Sequence, residues 1–571
     1  MRKCRVPVFA LLLALTTAVA VAQPEAVVRV LPSTVRLRPY DAVEGALDAT
    51  IAAAKNEVES FQVAIIARNG QLQGVRVEAG PLTYGDYVIS ASSVRLYREE
   101  CVPIRRSGYR ASEGPGLIRD PLVPLIDPYT GDALGRAQWS DDAAKMLPGR
   151  FGGSPFDVWP DQNQMLWVDI AVPKDAPAGA YTGVLTITAK GIDAIELPVT
   201  LTVWDFTLPD GPTHENHFGG VDRVHSYLGL ERDSDEFHRI EERYEALLAE
   251  HRINPAFPRR LWPAIQDDGT TDFSEVDAAI SAFVDQFHVT NLEIPRAPFG
   301  DILGANREKA KNFMRSWYAY LERKGWADRS YHYMLDEPNT PEEYETVRKL
   351  GALVHEAEPR IRRLVVEQPY TQDPAWGVLD GAFDIWCPLF GFIHEPSVAE
   401  KQAQGDEVWS YTALYQRAPD YHPEYEKVKG EDPPYWQIDV PLVSYRIAPW
   451  LNRRYGITGL LYWSTCYWGS PDRNPWDEPG FRGYWNGDGA LFYPGTDAGL
   501  EGPVGSLRLK SLRDGMEDYE YFVILEQRGG AGMVEAIVRE AVPTWGTWNQ
   551  DPGALPRLRE RLAEAITTLA P

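Results

Sequence analysis

The stretch with the clearest chemical potential is 331–338, which ends in two adjacent acids, Asp336 and Glu337, followed by a proline. Residues 340–343, Thr-Pro-Glu-Glu, then form a helix-start signature, with an N-cap, a proline at the first helical position and a capping box. The two carboxyl groups are therefore predicted where a strand ends and the connection to a helix begins. In a β/α barrel, this edge of the sheet carries the catalytic residues.

Two carboxyl groups at adjacent positions limit the hydrolytic chemistry that they could share. A conventional retaining glycosidase needs its carboxyl groups about 5 Å apart, and an inverting one needs them farther apart. Because neighbouring residues on a regular strand point to opposite faces, Asp336 and Glu337 are poorly placed for that arrangement. They suit a mechanism in which one acid protonates the leaving oxygen and the other positions a 2-acetamido nucleophile of the substrate. The structural alternative is that Asp336 caps the helix and Glu337 is a solvated rim residue.

The first residues have the pattern of an export signal. Three basic residues within the first five precede a mostly apolar run over residues 8–18, and Ala20-Val21-Ala22 is a small-x-small cleavage site. The run is too short to span a membrane, and no second apolar stretch of spanning length follows. We therefore expect residues 1–22 to be a signal peptide and the mature protein to be secreted or periplasmic, with no membrane insertion after cleavage. A retained N-terminal anchor is the alternative.

The charge balance argues against several classes of partner. The chain has 57 basic and 82 acidic residues and a formal net charge of −25, which becomes −28 once the three signal-peptide bases are removed. Nucleic acid and anionic membrane surfaces are therefore not expected as partners. A strongly polyanionic substrate would need a local basic pocket, and the sequence shows no basic run that would form one.

No cofactor or metal ion is predicted. The sequence has no H-E-x-x-H motif, no cysteine pair at zinc spacing and no phosphate or dinucleotide loop in a strand-turn-helix context. Asp472, Asn474 and Asp477 could hold a calcium ion, but polar loops of this kind are usually only solvated. The three cysteines outside the signal peptide are predicted to be buried thiols, with one disulfide as the alternative; they are Cys101, Cys387 and Cys466.

The hydrophobic pattern changes near residue 207. Residues 26–207 alternate apolar and polar positions in short runs separated by turn signals, which predicts an all-β sandwich. Residues 213–505 alternate strand and helix patterns and fit a (β/α)8 barrel, and residues 506–571 predict a helical C-terminal segment. The eight barrel strands are placed at 217–222, 252–257, 291–295, from 331, at 363–367, 383–388, 407–414 and 459–465. The long polar loop 107–161 is expected to pack toward the barrel.

Several segments resemble glycoside hydrolase family 123 and its relatives. The likeness spans nearly all of the mature chain, and the segments that carry it are Met334-Leu335-Asp336-Glu337-Pro338, Gly459-Leu460-Leu461-Tyr462-Trp463, Asn486-Gly487-Asp488-Gly489, Tyr493-Pro494-Gly495 and Leu512-Arg513-Asp514-Gly515-Met516-Glu517-Asp518-Tyr519-Glu520-Tyr521. The resemblance implies a β-sandwich followed by a (β/α)8 barrel. It also implies retaining exo-β-N-acetylgalactosaminidase activity assisted by the acetamido group of the substrate.

Other candidate site residues come from the ends of the predicted barrel strands. The resemblance makes Tyr411 the candidate for a hydroxyl on the acetamido oxygen and Trp463 the candidate platform under the sugar. Trp386, Glu367 and Tyr370 are further candidates for substrate binding, because aromatic rings match the apolar faces of sugars and polar tips bind their hydroxyls. Core packing is the alternative for each aromatic residue.

Three functions compete at this point. The first is an exported exo-glycosidase that cleaves terminal β-linked 2-acetamido sugars of an oligosaccharide or glycoconjugate, with Glu337 as the acid and Asp336 orienting the acetamido group. The second is a glycosidase for another sugar that pairs Glu337 with a distant carboxylate such as Glu367. The third is a non-catalytic carbohydrate-binding protein, which the fold alone does not exclude.

Overall fold

The structure is a computed structural model that describes residues 23–135, 150–481 and 483–569. The predicted signal peptide, 1–22, lies outside the described residues. The N-terminal part is almost entirely β-structure, and its strands are β1 (Glu25–Pro32), β2 (Ala49–Lys55), β3 (Val58–Arg68), β4 (Leu72–Ala79), β5 (Leu82–Tyr84), β6 (Tyr87–Ile89), β7 (Val94–Ile104), β8 (Gly116–Pro124), β9 (Phe156–Val158), β10 (Asn163–Ala171), β11 (Gly179–Thr188) and β12 (Ile195–Thr207).

The remaining strands and all described α-helices follow residue 214. The strands are β13 (Glu215–Phe218), β14 (Ala264–Ile265), β15 (Thr271–Asp272), β16 (Leu292–Glu293), β17 (Ser330–Asp336), β18 (Arg362–Val366), β19 (Ile385–Trp386), β20 (Glu407–Thr412), β21 (Gly459–Tyr462), β22 (Gly480–Phe481), β23 (Trp485–Asn486), β24 (Tyr493–Pro494) and β25 (Pro503–Ser506). The helices are α1 (Val224–Leu228), α2 (Asp235–Ala249), α3 (Asp277–Gln286), α4 (Arg307–Lys324), α5 (Pro341–Ala357), α6 (Glu395–Gln404), α7 (Tyr425–Val428), α8 (Val443–Arg454), α9 (Leu507–Gln527), α10 (Ala531–Ala541) and α11 (Ala554–Thr568).

Two sheets form the N-terminal part. One has the order β1-β3-β10-β7-β8-β25-β24, and the other has the order β2-β12-β11-β4-β9 with β5 and β6 beside β11. Phe61 and Val168 of the first sheet are buried in the same apolar cluster as Tyr181 and Leu201 of the second. The alternating burial along β12 places one apolar face toward this cluster and the polar face outward, as the sequence pattern predicts.

The C-terminal half of the chain completes the first sheet. Strand β25 pairs with β8 through Gly505 opposite Leu122 and Ser506 opposite Pro121, and β24 pairs with β25. Two short strands from residues 493–506 therefore extend a sheet whose other members all lie before residue 172.

A seven-stranded parallel sheet lies at the centre of the second half of the chain, with the order β13-β21-β20-β19-β18-β17-β16. Long helices such as α4 and α5 connect or flank its strands, and α5 begins as predicted, with the Thr340 hydroxyl accepting a hydrogen bond from the backbone of Glu343 at 3.2 Å. The inner face of the sheet buries a small cluster that includes Tyr331, Cys387, Trp409 and Tyr411.

The second predicted barrel strand, 252–257, does not form a strand. Its place between β13 and β16 is held by side-chain amides instead of a backbone ladder. The Asn254 backbone N–H donates to Oδ1 of Asn216 at 2.8 Å, and the Asn291 side chain donates to the Asn216 carbonyl at 2.9 Å. These bonds connect the two edges of the parallel sheet, so the sheet is strongly curved, but a complete (β/α)8 barrel is not shown.

Helix α9 joins the parallel sheet to the N-terminal sheets through buried charges. Asp169 of β10 accepts hydrogen bonds from Lys510 at 2.6 Å and from Arg513 at 3.2 Å, and Arg446 of α8 pairs with Asp518 at 2.7 Å. All five of these side chains are buried. The acids and bases of the motif at 512–521 thus connect elements from both halves of the chain.

Two surveys of the described residues bear on membranes and cysteines. None of the helices within 23–569 that the structure describes has an apolar stretch long enough to cross a membrane. Cys387 and Cys466 are buried thiols as predicted, whereas Cys101 is only partly buried, and these three are not joined in a disulfide.

Candidate active site

The end of β17 contains a β-bulge that turns Asp336 to the inner face of the sheet. Tyr333 lies opposite Leu364 and Leu335 lies opposite Val365, so Met334 is an extra residue in β17. Without this insertion, Asp336 would point away from the face that carries Tyr333. With it, the Tyr333 hydroxyl donates to Oδ1 of Asp336 at 2.8 Å.

Glu337 reaches the same face by a different route. Its backbone lies in the left-handed region, with φ of 42°, which is uncommon for a residue other than glycine and is typical of functional sites. Its backbone N–H donates to the Val366 carbonyl at 3.1 Å, and its Oε1 accepts a hydrogen bond from the Tyr411 hydroxyl. The expectation that the two acids point to opposite faces is therefore wrong, because it assumed a regular strand.

A cavity of about 120 Å³ lies beside Glu337 at the carboxyl ends of β17 to β20. Its lining combines carboxyl, amide and hydroxyl groups with aromatic and apolar walls, as expected of a carbohydrate site. The lining residues are Glu337, Asn339, Val366, Glu367, Gln368, Cys387, Pro388, Leu389, Phe392, Tyr411, Gln416 and Tyr421.

Burial and charge favour the protonated form of Glu337. Removal of its carboxyl group from water raises its pKa above the ordinary value, and the hydrogen bond from Tyr411 opposes that rise. The neighbouring charge of Asp336 raises the pKa further. The residue is exposed at the rim as a whole, while its carboxyl group reaches the buried Tyr411. The carboxyl group of Glu337 therefore keeps its proton to higher pH than an ordinary glutamate does.

Glu367 supplies a second carboxyl group to this cavity. It follows β18 and is buried, and its Oε1 accepts hydrogen bonds from the Tyr344 hydroxyl at 2.7 Å and from the Gln368 amide. Burial raises the pKa of Glu367 to about 8, against the hydrogen bond from Tyr344 and with a further contribution from the charge of Glu337. At neutral pH this group is mostly a neutral acid, able to donate a hydrogen bond but poorly suited as a nucleophile.

Trp463 follows β21 and is held by Asp488. Its indole Nε1–H donates to Oδ2 of Asp488 at 3.2 Å, and its ring packs on Tyr467 with 4.9 Å between centroids. Burial raises the pKa of Asp488 to about 7, against hydrogen bonds from the backbone of Leu414 and from Gln437 and Trp463. Trp463 is thus a fixed ring at the carboxyl edge of the sheet, although it does not line the cavity beside Glu337.

The structure does not bring Trp386 or Tyr370 into the cavity. Ile385 and Cys387 point to the inner face, so Trp386 points to the helices, where its Nε1–H donates to Asp406 at 2.9 Å. Tyr370 lies behind the cavity wall, with its hydroxyl on the Phe392 carbonyl at 3.0 Å. Trp386 is therefore corrected to a core residue, and Tyr370 supports the wall without reaching the site.

Sequence reasoning missed several residues of the site. Tyr333 contacts Asp336, and Asp488 fixes Trp463, although both had been noticed only as parts of longer motifs. The Asn-Gly-Asp-Gly segment at 486–489 carried a usable signal, because an acid between two glycines marks a tight turn rather than a solvated loop. Gln416 and Tyr421 lie in the irregular connection after β20 and carried no such signal.

The loop after β7 reaches the sheet edge from the N-terminal part, as expected of the long segment 107–161. The Gly108 backbone N–H donates to Oδ2 of Asp439 at 2.7 Å, and the Asn486 amide donates to the Arg106 carbonyl at 3.0 Å. Residues 136–149 of the same segment lie outside the described residues. The N-terminal β-structure thus contributes directly to the surroundings of Trp463 and Asp488.

Within the described ranges, histidine, cysteine and acidic side chains do not come together in groups of three or more that could hold a metal ion. The polar side chains that line the cavity carry carboxyl, amide, phenol and thiol groups.

Comparison with known proteins gives a family resemblance for part of the chain. A family model described as "Glycoside hydrolase 123, catalytic domain" matches residues 300–525, which include Asp336, Glu337, Glu367, Tyr411 and Trp463. These residues are similar to the catalytic domain of a glycoside hydrolase. The resemblance to family 123 that the motifs predict is confirmed over these residues.

The structure of a family 123 glycoside hydrolase from Clostridium perfringens, studied for glycolipid glycan hydrolysis, has the same fold. It is 13% identical with a TM-score of 0.64, and the match covers 95% of this chain and 98% of that chain. A Bacteroides ovatus GH5 xyloglucanase is 10% identical over 82% of this chain and 98% of that chain, with a TM-score of 0.27. No curated protein sequence matches the chain.

Proposed function

We propose that the protein is an exo-acting glycosidase that removes terminal β-linked 2-acetamido sugars, with retention of configuration, by substrate-assisted catalysis. N-acetylgalactosamine is the proposed sugar. The observation that supports the proposal is the position of the two adjacent acids on one face of the sheet. Asp336 accepts a hydrogen bond from the Tyr333 hydroxyl, and Glu337 accepts one from the Tyr411 hydroxyl. A conventional glycosidase places its two carboxyl groups on either side of the glycosidic bond. Two adjacent acids on one face fit better with a mechanism in which the substrate supplies the nucleophile.

In this mechanism, Glu337 protonates the departing glycosidic oxygen while the acetamido oxygen attacks the anomeric carbon. Asp336 accepts a hydrogen bond from the acetamido N–H and stabilises the positive charge that develops there. The intermediate is a bicyclic oxazolinium ion, and Glu337, now ionised, removes a proton from the water that opens it. Trp463 is the proposed platform under the sugar ring, and Tyr411 is proposed to turn its hydroxyl from Glu337 toward the acetamido oxygen as the substrate enters.

The conventional two-carboxylate mechanism is the second candidate, because Glu367 lines the same cavity as Glu337. Glu367 is a weaker candidate nucleophile, since its pKa of about 8 leaves it mostly protonated at neutral pH. Its Oε1 is also occupied by Tyr344 and Gln368. We therefore assign Glu367 to substrate binding rather than to attack.

The natural substrate is proposed to be an oligosaccharide or glycoconjugate, and the glycolipid glycan of the Clostridium perfringens relative is one candidate. We also propose that the protein is exported and begins at Gln23 after signal cleavage. Mass spectrometry of the secreted or periplasmic product would give that mass, and an intact cytoplasmic form beginning at Met1 would contradict it.

We further infer that the parallel sheet is a modified (β/α)8 barrel. Its seven strands are joined by residues 252–257, which fill the place of the missing strand between β13 and β16 without backbone pairing. The amide bonds of Asn216, Asn254 and Asn291 support this interpretation. An experimental structure with the backbone of 252–257 far from β13 or β16 would contradict it.

The central experiment compares nitrophenyl glycosides that differ only at position 2. A 2-acetamido galactoside should be cleaved far faster than its 2-hydroxy counterpart, and the first-formed product should have the β configuration by NMR. A thiazoline that mimics the oxazoline should bind much more tightly than the product sugar. Equal rates on the two glycosides would reject substrate assistance and return attention to Glu367.

A further inference from the structure

Three exposed arginines follow three neighbouring positions at one side of the parallel sheet. Arg223 follows β13, Arg259 follows residues 252–257 and Arg296 follows β16. The strands of the sheet are parallel, so Arg223 and Arg296 lie at the carboxyl edge that also carries Asp336 and Glu337. Arg259 follows the segment 252–257, which is held between β13 and β16 by hydrogen bonds of Asn254 with Asn216 and Asn291. We call the three residues the arginine rim.

The arginine rim lacks the acidic partners that neighbouring arginines have. Within the described part of the chain, no carboxylate oxygen comes within 4.0 Å of the guanidinium groups of Arg223, Arg259 or Arg296. By contrast, Arg232 pairs with Asp222 at 3.2 Å, and Arg260 pairs with two buried glutamates of α2. In a chain with 82 acidic and 57 basic residues, three neighbouring arginines without acidic partners are a local reversal of charge.

Two of these arginines pack on aromatic rings that in turn contact proposed site residues. The guanidinium carbon of Arg296 is 4.9 Å from the centre of the Tyr333 ring, whose hydroxyl contacts Asp336, and its Nε–H donates to the Tyr333 carbonyl at 2.9 Å. The guanidinium carbon of Arg223 is 5.5 Å from the Tyr467 ring, which packs on Trp463. These ring contacts fix the stems of the side chains and leave guanidinium N–H groups available to a ligand.

Acidic groups near the arginine rim are engaged elsewhere. Asp222 is paired with Arg232, Asp301 accepts from the Ala305 backbone at 2.9 Å, and Asp336 accepts from Tyr333. Glu293, at the end of β16, is partly buried and lies 3.7 Å from Nδ1 of His217. Burial raises its pKa to about 7, against the charge of Arg296, which is the rim residue that faces it. The rim therefore presents positive charge on the side of the sheet next to β17, although the molecule as a whole is acidic.

We propose that the arginine rim binds an anionic substituent, a carboxylate or a sulfate ester, on the glycan whose terminal sugar enters the cavity. The inference rests on the proposed function for the terminal sugar and adds the charge of the glycan beyond it. A planar guanidinium pairs with such oxyanions through two parallel hydrogen bonds, and a neutral sugar makes no use of the charge. The net charge of the chain would otherwise repel an acidic glycan, so the rim supplies local attraction.

The test uses a matched set of disaccharides with the same terminal 2-acetamido sugar and a neutral, sulfated or carboxylated second sugar. Arg223, Arg259 and Arg296 are changed to glutamine singly and together, with Arg76→Gln in β4 as a control that removes a distant exposed arginine. Each rim substitution should lower kcat/KM on the anionic disaccharides about threefold, and the triple variant about thirtyfold. Hydrolysis of the neutral disaccharide should stay within about twofold for every variant.

Salt gives an independent readout. Raising the salt concentration should lower kcat/KM of the wild type on the anionic disaccharides and leave the triple variant nearly unchanged, because exposed charges are screened over about 10 Å at 0.1 M. The sulfated and carboxylated arms show which anion the rim prefers. Equal loss on neutral and anionic disaccharides, or no preference for anionic ones in the wild type, would overturn the proposal.

A binding measurement separates this inference from the proposed reaction. Calorimetry with the Glu337→Gln protein should show tighter binding of the anionic than the neutral disaccharide, and the additional triple substitution should abolish that difference. If the wild type cleaves no 2-acetamido substrate but this binding difference is present, the proposed reaction fails and the rim stands. If cleavage is observed and the difference is absent, the rim fails and the reaction stands.

Discussion

The hydroxyl of Tyr411 donates a hydrogen bond to Oε1 of Glu337 although their strands are not neighbours in the sheet. Tyr411 belongs to β20 and Glu337 follows β17, with β18 and β19 between them. The bond is therefore made across the hollow of the curved sheet rather than along it. It connects the proposed acid to the residue proposed to hold the acetamido oxygen, which couples the protonation of one to the position of the other.

Tyr411→Phe should lower kcat/KM on 2-acetamido glycosides at least tenfold, because a hydrogen bond to a charged group contributes about 1.5–3 kcal/mol. It should also raise the pKa of Glu337, since the tyrosine hydrogen bond favours the carboxylate. The alkaline limb of the pH–rate profile assigned to this acid should therefore move to higher pH. Unchanged kinetics and an unchanged profile would assign Tyr411 to packing alone.

Glu337→Gln should affect substrates according to their leaving groups. An amide cannot protonate the departing oxygen, so activity on natural disaccharides should fall by two or more orders of magnitude. Nitrophenyl glycosides need little protonation and should lose much less. Rates with a series of phenols of different acidity would show a steeper dependence on leaving-group pKa, and an equal loss on all of them would contradict the assignment.

Asp336→Asn should reduce activity on good and poor leaving groups alike, because attack by the acetamido group is required whatever the leaving group. We expect a loss of about two orders of magnitude in kcat, as for removal of one group that stabilises developing charge. Tyr333→Phe removes only the hydroxyl that orients Asp336 and should cost less. If Asp336→Asn retained full activity on nitrophenyl 2-acetamido glycosides, its proposed role would be wrong.

Glu367 should make the folded protein less stable as pH rises. Its pKa is about 8 in the folded protein and 4.5 ordinarily, so between these values the folded state keeps a proton that the unfolded chain releases. Its contribution to the free energy of unfolding has its full value below about pH 4.5. Between about pH 4.5 and pH 8 that contribution decreases by about 1 kcal/mol per pH unit. Glu367→Gln removes this dependence. The difference in Tm between variant and wild type should therefore shift in favour of the variant from pH 5 to pH 8, and parallel curves would contradict the assignment.

Asp169→Asn should strongly destabilise the fold. The Asp169 carboxylate accepts hydrogen bonds from Lys510 and Arg513, and without it these two buried positive charges would have lost their partner. The charges of Arg513 and Lys510 hold the pKa of Asp169 well below its usual range. Loss of one partner in a buried ion network costs about 3–5 kcal/mol. Glu250→Gln, which breaks the exposed pair with Arg95, is the control and should cost at most about 1 kcal/mol. Denaturant unfolding would give both values, and similar costs for the two substitutions would show that the buried network is not needed for stability.

Local sequence signals located most strands of the parallel sheet. The strands predicted from 331, at 363–367 and at 407–414 correspond to β17, β18 and β20 within two residues at each observed end. The strand predicted at 252–257 is absent because Asn254 makes the bonds that a ladder would make, while Pro255 and Pro258 lack backbone donors. Short apolar runs could not reveal that exchange.

The acids were found from the sequence, but their geometry was not. The bulge at Met334 depends on the register between β17 and β18, which is a property of two strands and not of one. The left-handed backbone of Glu337 likewise has no local signature, because glutamate does not favour that conformation. Trp386 was placed on the wrong face of its strand. Its neighbours Ile385 and Cys387 occupy the inner face, so Trp386, between them, points to the helices.

The two short strands β24 and β25 have a consequence for how the molecule can be divided. They carry residues 493–506 of the C-terminal half into a sheet whose other strands lie between residues 25 and 171, and the buried network of Asp169 with Lys510 and Arg513 lies beside them. A cut near residue 210 would expose a sheet edge on one fragment and unpaired charges on the other. The two halves are therefore expected to evolve together. Recombination that exchanges the N-terminal half would also have to exchange β24, β25 and the start of α9.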